Sequence, residues 1–175
     1  YGIAYSFTDG LKPEDFEAKI QENTKVIYVE TPSNPLLKIT DLKAVVRIAK
    51  QHGLVSMIDN TFASPVNQNP ADFGIDVVIH SATKYMGGHS DICAGAVASS
   101  EENINRIFHL AKNFGGSLSD QTVWLLERSM KTMGIRIAKQ QKNAMKLAKY
   151  LYNSNFINKV FYPGLESHEN HLLAK

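Results

Sequence analysis

Apolar residues along this chain follow two rhythms that exchange near residue 100. Before that point, short apolar runs alternate with one stretch of helical spacing. Residues 25–30 predict a buried strand. The next five, Thr31-Pro32-Ser33-Asn34-Pro35, predict a turn, because two prolines forbid regular structure. Leu42, Val45, Val46, Ile48 and Ala49 form one face of a helix, with Thr40 as the expected N-cap and Gly53 as the stop. A second strand is expected over 54–59, then an irregular stretch through Pro65 and Pro70, a strand over 76–79, and another over 95–99. Continuous apolar runs of this kind, separated by helices, predict a largely parallel sheet covered on both faces. Beyond Glu101 the pattern predicts long helices over 103–114, 120–131 and about 135–152. A short β-rich run, Val160-Phe161-Tyr162, precedes the turn Pro163-Gly164, and the last residues read as the start of another helix. A boundary near Gly134 is expected, with 1–133 in one α/β domain and 134–175 supplying a joining helix and the start of a smaller C-terminal α/β domain.

Composition removes some classes of partner. A net charge of +2 with no clustered Lys and Arg gives no footing for nucleic acid. No apolar stretch approaches the length of a membrane span, so no membrane partner is expected. The single cysteine, Cys93, excludes an internal disulfide and fits a reducing compartment, hence an expected cytoplasmic location. The opening Tyr1-Gly2-Ile3-Ala4-Tyr5 has neither the layout of a signal peptide nor an initiator Met, so the chain reads as part of something longer.

Candidate chemistry gathers between residues 54 and 100. The run Leu54-Val55-Ser56-Met57-Ile58 ends on Asp59, and Asp76-Val77-Val78-Ile79-His80 leads into Ser81-Ala82-Thr83-Lys84-Tyr85. Ligands of parallel α/β sheets bind beyond the carboxyl ends of strands, where both segments fall. A carboxylate there can keep a pyridine nitrogen protonated. A partly desolvated lysine amine can form a Schiff base. Ser81 and Thr83, two apart, share a face in an extended segment and suit a phosphate, with Gly87-Gly88 allowing close backbone approach. Those are the needs of pyridoxal 5′-phosphate (PLP). Asn34, held in its proline turn, could donate to the cofactor's 3′ oxygen or simply shape the turn. Taken singly, each residue has a plainer reading: a solvated Asp, a surface Lys, a Ser/Thr-rich turn. Other templates fail. There is no Walker phosphate loop, no dinucleotide glycine fingerprint and no His-Glu-x-x-His; Gly88-His89-Ser90-Asp91-Ile92 only approaches a nucleophile elbow. His168 and His171 lack a third ligand, so no metal site is expected.

Three segments, in order, carry a resemblance: Glu30-Thr31-Pro32-Ser33-Asn34-Pro35, Asp59-Asn60-Thr61-Phe62, and Ser81-Ala82-Thr83-Lys84-Tyr85-Met86-Gly87-Gly88-His89-Ser90-Asp91. They resemble the Cys/Met-metabolism (trans-sulfuration) family of PLP-dependent enzymes, which includes the cystathionine lyases and cystathionine γ-synthase. The similarity extends to Tyr162-Pro163-Gly164-Leu165. It implies the aspartate-aminotransferase-like fold (fold type I), with 1–133 as the C-terminal part of the large PLP domain. It also implies roles: Lys84 carries the cofactor and moves protons, Asp59 binds the pyridinium, Ser81 and Thr83 contact the phosphate, and Asn34 lies near the 3′ oxygen. A phosphate-binding Gly-Met turn and a stacking Tyr would lie upstream of Tyr1, and an Arg for the substrate carboxylate downstream of Lys175. A homotetramer of paired dimers, sharing groups across subunits, is implied too. The piece alone is then expected to be inactive.

The ending His89-Ser90-Asp91 is more similar to the cystathionine lyases and synthase than to methionine γ-lyase or the sulfhydrylases, and Lys139-Gln140-Gln141-Lys142-Asn143-Ala144 is similar to the β-lyases. The implied function is a carbon–sulfur lyase acting on cystathionine or a related small sulfur amino acid. Cystathionine γ-synthase is the alternative within the family. A non-catalytic phosphate-binding α/β module is the alternative outside it.

Overall fold

The computed structural model describes residues 2–8 and 12–175; Tyr1, part of the opening segment read above for a leader, lies outside them. Four strands form one sheet in the order β1 (Val26–Glu30), β2 (Val55–Asp59), β3 (Val77–Ser81), β4 (Gly95–Ser99). The first three are parallel, and β4 pairs antiparallel with β3 from Val77↔Ser99 to Ser81↔Gly95. The sheet is therefore mostly parallel, as the apolar runs predict.

Between β1 and β2, α2 (Leu42–Gln51) lies on one face of the sheet, beside the short α1 (Pro13–Glu17). Its buried residues Leu42, Val45, Val46, Ile48 and Ala49 pack with Ile27, Val29, Ile58 and Val78 in a single core. Each valine, leucine or isoleucine among them, taken fully from water, contributes roughly 1.5–3 kcal/mol, which makes this layer the main apolar stabilisation of the first half. The cap differs from expectation by one residue. Asp41, not Thr40, is the N-cap, its Oδ1 accepting from the Ala44 amide at 3.1 Å. Thr40 instead donates its amide to the Thr31 hydroxyl at 2.9 Å, tying the helix entry to the turn after β1.

The expected covering of both faces is only half realised. Side chains alternate along β1, with Ile27 and Val29 buried and Tyr28 exposed by 54%. On β2, Ser56 and Ile58 are buried while Met57 and Asp59 are half-exposed. The face away from α2 is thus open along much of its area, although Val77 on it is buried. Strands with a period of two bury one face by themselves, and the other waits for whatever packs there.

From β2 the chain passes α3 (Ser64–Asn67) and a 3-10 turn (Pro70–Phe73) before β3. Three helices follow β4: α4 (Glu101–Phe114), α5 (Asp120–Met130) and α6 (Met133–Tyr152). Ser100 and Ser119 cap the first two. None of the residues of α4 is buried, and Phe108, Leu110 and Phe114 stand in solvent. Gly134 falls in the first turn of α6, which runs without a break and reaches back to α3 through Gln141 Nε2 and Asn67 Oδ1, 2.5 Å apart. Val160-Phe161-Tyr162 forms no strand, since nothing among the described residues pairs with it. Beyond Pro163 the chain makes successive turns, such as Leu165 N to Tyr162 O and His168 N to Leu165 O, each 3.0 Å, in place of the expected helix.

Candidate active site

Parallel pairing brings the carboxyl ends of β1, β2 and β3 to one edge of the sheet, with Glu30 opposite Asp59 and Asp59 opposite Ile79. The alternation that buries Ile58 turns Asp59 onto the open face, half-buried. The Thr61 amide donates to Asp59 Oδ1 at 2.9 Å, an Asx turn that fixes the carboxylate at the strand end. The Thr61 hydroxyl then accepts from the Ser81 amide at 2.7 Å. One residue thereby connects the end of β2 to the end of β3. Behind it, fully buried Asn60 donates its side-chain amide to Gln68 O at 3.0 Å. Gln68 Nε2 donates to Asn60 Oδ1 at 2.8 Å and to Thr31 O at 3.1 Å. That network joins the same edge to the turn after β1.

Lys84 is exposed and lies not in an extended segment but in a compact turn over 82–87. Lys84 N donates to Ser81 O at 3.0 Å, Gly87 N to Ala82 O at 2.8 Å and Gly88 N to Lys84 O at 2.7 Å. Ser81 and Thr83 are therefore not related by the strand alternation the sequence suggests. The Thr83 hydroxyl donates to Ala94 O at 3.2 Å and accepts from Ala94 N at 2.9 Å, pinning the turn to the approach of β4. Its single proton is committed, so a phosphate oxygen would have to displace Ala94 O. No hydrogen bond reaches Asp59 Oδ2, Ser81 Oγ or Lys84 Nζ among the described residues. Asn34 lies on the same sheet edge, exposed, in a loop closed by Leu37 N to Ser33 O (2.8 Å) and Ser33 N to Lys38 O (3.0 Å); among the described residues no hydrogen bond joins it to Asp59 or Ser81.

Asp59 colours its surroundings electrostatically. Burial raises the pKa of the Tyr28 phenol on the same face, and the Asp59 and Glu30 carboxylates raise it further. Burial lowers the pKa of His80 on the opposite face, against the pull of Asp59, so the imidazole favours its neutral form.

The sequence matches the family model described as Cys/Met metabolism PLP-dependent enzyme over residues 1–175. The chain belongs to that family. Cystathionine β-lyase of Lactococcus lactis subsp. cremoris is 46% identical over 99% of this chain and 46% of its own length. A probable cystathionine γ-synthase of Herpetosiphon aurantiacus is 42% identical over 100% of this chain and 55% of its own length. Among solved structures, cystathionine γ-lyase from Lactobacillus plantarum complexed with L-serine superposes with a TM-score of 0.95 at 41% identity, covering 99% of this chain and 46% of that one. The chain spans about half the length of these relatives, and its fold is theirs: the fold type I arrangement of PLP enzymes.

The residues present suit the cofactor of this Cys/Met-metabolism family. An acceptor oxygen on Asp59, a hydroxyl on Ser81 and an amine on Lys84 are all uncommitted, and all lie at the edge where parallel sheets bind ligands. Sequence reasoning did not give Thr61 its linking role, although Asp59-Asn60-Thr61 after an apolar strand carries the Asx-turn signal. It missed Gln68 and Arg136 altogether. Arg136 donates to Tyr85 O, next to Lys84, from a helix 51 positions further along the chain.

Proposed function

We propose that the full-length protein is a PLP-dependent carbon–sulfur lyase of trans-sulfuration, releasing a thiol from cystathionine or a related sulfur amino acid. The observation that carries this reading is the Thr61 link, which holds Asp59 and Ser81 at adjacent strand ends with the Lys84 turn immediately after. Bound PLP supplies an electron sink for the charge that develops at the substrate Cα. Asp59 Oδ2 holds the proton on the ring nitrogen, and a carboxylate on a half-buried strand end does so better than a neutral group. Ser81 Oγ donates to a phosphate oxygen, with Thr83 as a second donor only after giving up Ala94 O. Asn34, exposed in the turn after β1, would be the donor for the 3′ oxygen. Lys84 Nζ would hold the cofactor and, as a free amine, would take the proton from substrate Cα and return one to the departing sulfur, which leaves as the thiol.

The 175 residues hold the cofactor side of this site and are inactive alone, the remaining groups coming from outside the segment and from a neighbouring subunit of a homotetramer. Residues 1–133 belong to the large domain, and α6 leads into the smaller one. The protein works in the cytoplasm. No helix among the described residues is long and apolar enough to cross a membrane.

The test is to supply purified full-length protein with cystathionine alone. Pyruvate or 2-oxobutyrate release supports the lyase. The γ-synthase reading draws on the 42% identical Herpetosiphon protein. Turnover only with an activated homoserine ester plus cysteine would establish it instead. A protein that stays colourless after incubation with PLP would overturn both.

A further inference from the structure

We infer that Arg136 is a positioning residue for Lys84, clamping the turn that carries it so that the amine is presented correctly to the cofactor. The inference rests on the assignment of Lys84 above. Amides of the turn over 82–87 and of Gly88 just after it go to the carbonyls of Ser81, Ala82 and Lys84, leaving those of Tyr85 and Met86 without partners among them. Arg136, on the first turns of α6, supplies both: Nη1 donates to Tyr85 O at 2.9 Å and Nη2 to Met86 O at 3.4 Å. Nη2 also donates to Ser129 O at 3.0 Å at the end of α5, and Nε to the Thr132 hydroxyl at 3.2 Å. The planar fork is thus held on two sides by the helices while gripping the two carbonyls that follow Lys84. Lysine, a single point donor, cannot reproduce that geometry.

Gly88 confirms how closely the two pieces approach. A Cβ there would overlap the Arg136 guanidinium, and φ of +75° disfavours a side chain on its own account. His89 adds a weaker tie on the same side, with Nδ1 2.7 Å from Gly87 O and 3.4 Å from Ser129 Oγ. On the sheet side the turn is held at its root, through Ser81 and through Thr83 on Ala94. Its far side is fixed by α5 and α6, so the direction of Lys84 depends on a contact between segments that are distant in sequence.

The experiment uses full-length holoenzyme with Arg136→Gln, Arg136→Lys and the milder Thr132→Val, which removes the acceptor of Arg136 Nε together with that hydroxyl's own donation to Ser129 O, and leaves the guanidinium contacts to Tyr85 O and Met86 O in place. Three readouts apply: the lysine labelled by borohydride reduction, the visible circular dichroism per bound cofactor, and kcat and KM separately. In Arg136→Gln we expect cofactor still attached at Lys84, altered visible ellipticity, and kcat reduced about tenfold or more with KM nearly unchanged, since small displacements of a reacting group are costly. Arg136→Lys should recover part of kcat, and Thr132→Val should show the same changes more weakly. Unchanged ellipticity and kcat per bound cofactor in the variants, whatever their stability, would overturn the inference. If Arg136→Gln does not fold, Thr132→Val decides alone by the same two readouts. Labelling of a lysine other than Lys84 in the unaltered enzyme would instead overturn the assignment on which the inference stands.

Discussion

The two faces of the sheet divide the labour of this chain. Beneath α2, Ile27, Val29, Ile58 and Val78 are buried in one apolar layer, and nothing there points at chemistry. On the other face the same strands present Tyr28, Glu30, Met57 and Asp59, partly exposed. The strands have one backbone and two functions, separated only by side-chain parity. Moving a strand by one residue would bury Asp59 and expose Ile58, so the packing of the first face is what aims the second.

The sharpest test of this division is Lys84→Ala. Cofactor should no longer be borohydride-reducible at this position, and lyase turnover of the full-length protein should drop by about 10²–10⁴, the span of positioned acid–base groups. The urea midpoint should stay close to that of the unaltered protein without cofactor, because Lys84 is exposed. Ile58→Ala, one residue from Asp59 but on the packed face, should do the converse. It should lose about 2–5 kcal/mol in urea unfolding, while the folded fraction keeps its kcat. Equal losses of kcat from both changes would erase the distinction between the faces.

Thr61→Val probes the seam between them. It removes the acceptor of the Ser81 amide but keeps the Thr61 amide on Asp59. A stability loss of about 1–3 kcal/mol is expected from the unpaired amide, together with weaker PLP binding by equilibrium dialysis. Unaltered PLP affinity would show that the two strand ends are fixed independently.

The smallest effect concerns His80 on the packed face. Its folded pKa lies below the ordinary value of 6.5, mainly through burial. The unfolded chain therefore binds the proton more readily. Its contribution to stability is complete above pH 6.5 and declines as the pH falls toward the folded pKa. Urea midpoints measured at pH 7.5 and 5.5 should differ less in His80→Asn than in the unaltered protein, and an identical difference would refute this.

Most of the sheet was legible because its strands are short apolar runs and α2 has a clean helical stripe, both of which are local signals. The placement of Asp59 at the end of β2 and of Lys84 shortly after β3 was legible because an apolar run leads into each. Three features were not. Whether an edge strand runs parallel or antiparallel leaves no mark in five residues such as Gly95–Ser99. The open face resembled a buried one because Val26, Met57 and Ile79 are apolar although partly exposed. Finally, the Arg136 grip is written in two segments 51 positions apart, with carbonyl oxygens that every residue possesses. Main-chain acceptors carry no signature in a sequence.

The pairing of Ser81 with Gly95 separates the loop from the sheet that carries it. Residues 82–94 leave the sheet and return to it at neighbouring points of one ladder, so the excursion between them causes no net displacement of the strands. The length of that excursion is therefore independent of the register between β3 and β4. What surrounds the amine is thus governed by the loop's own ties, Thr83 to Ala94 and Arg136 to Tyr85, rather than by the strands it springs from.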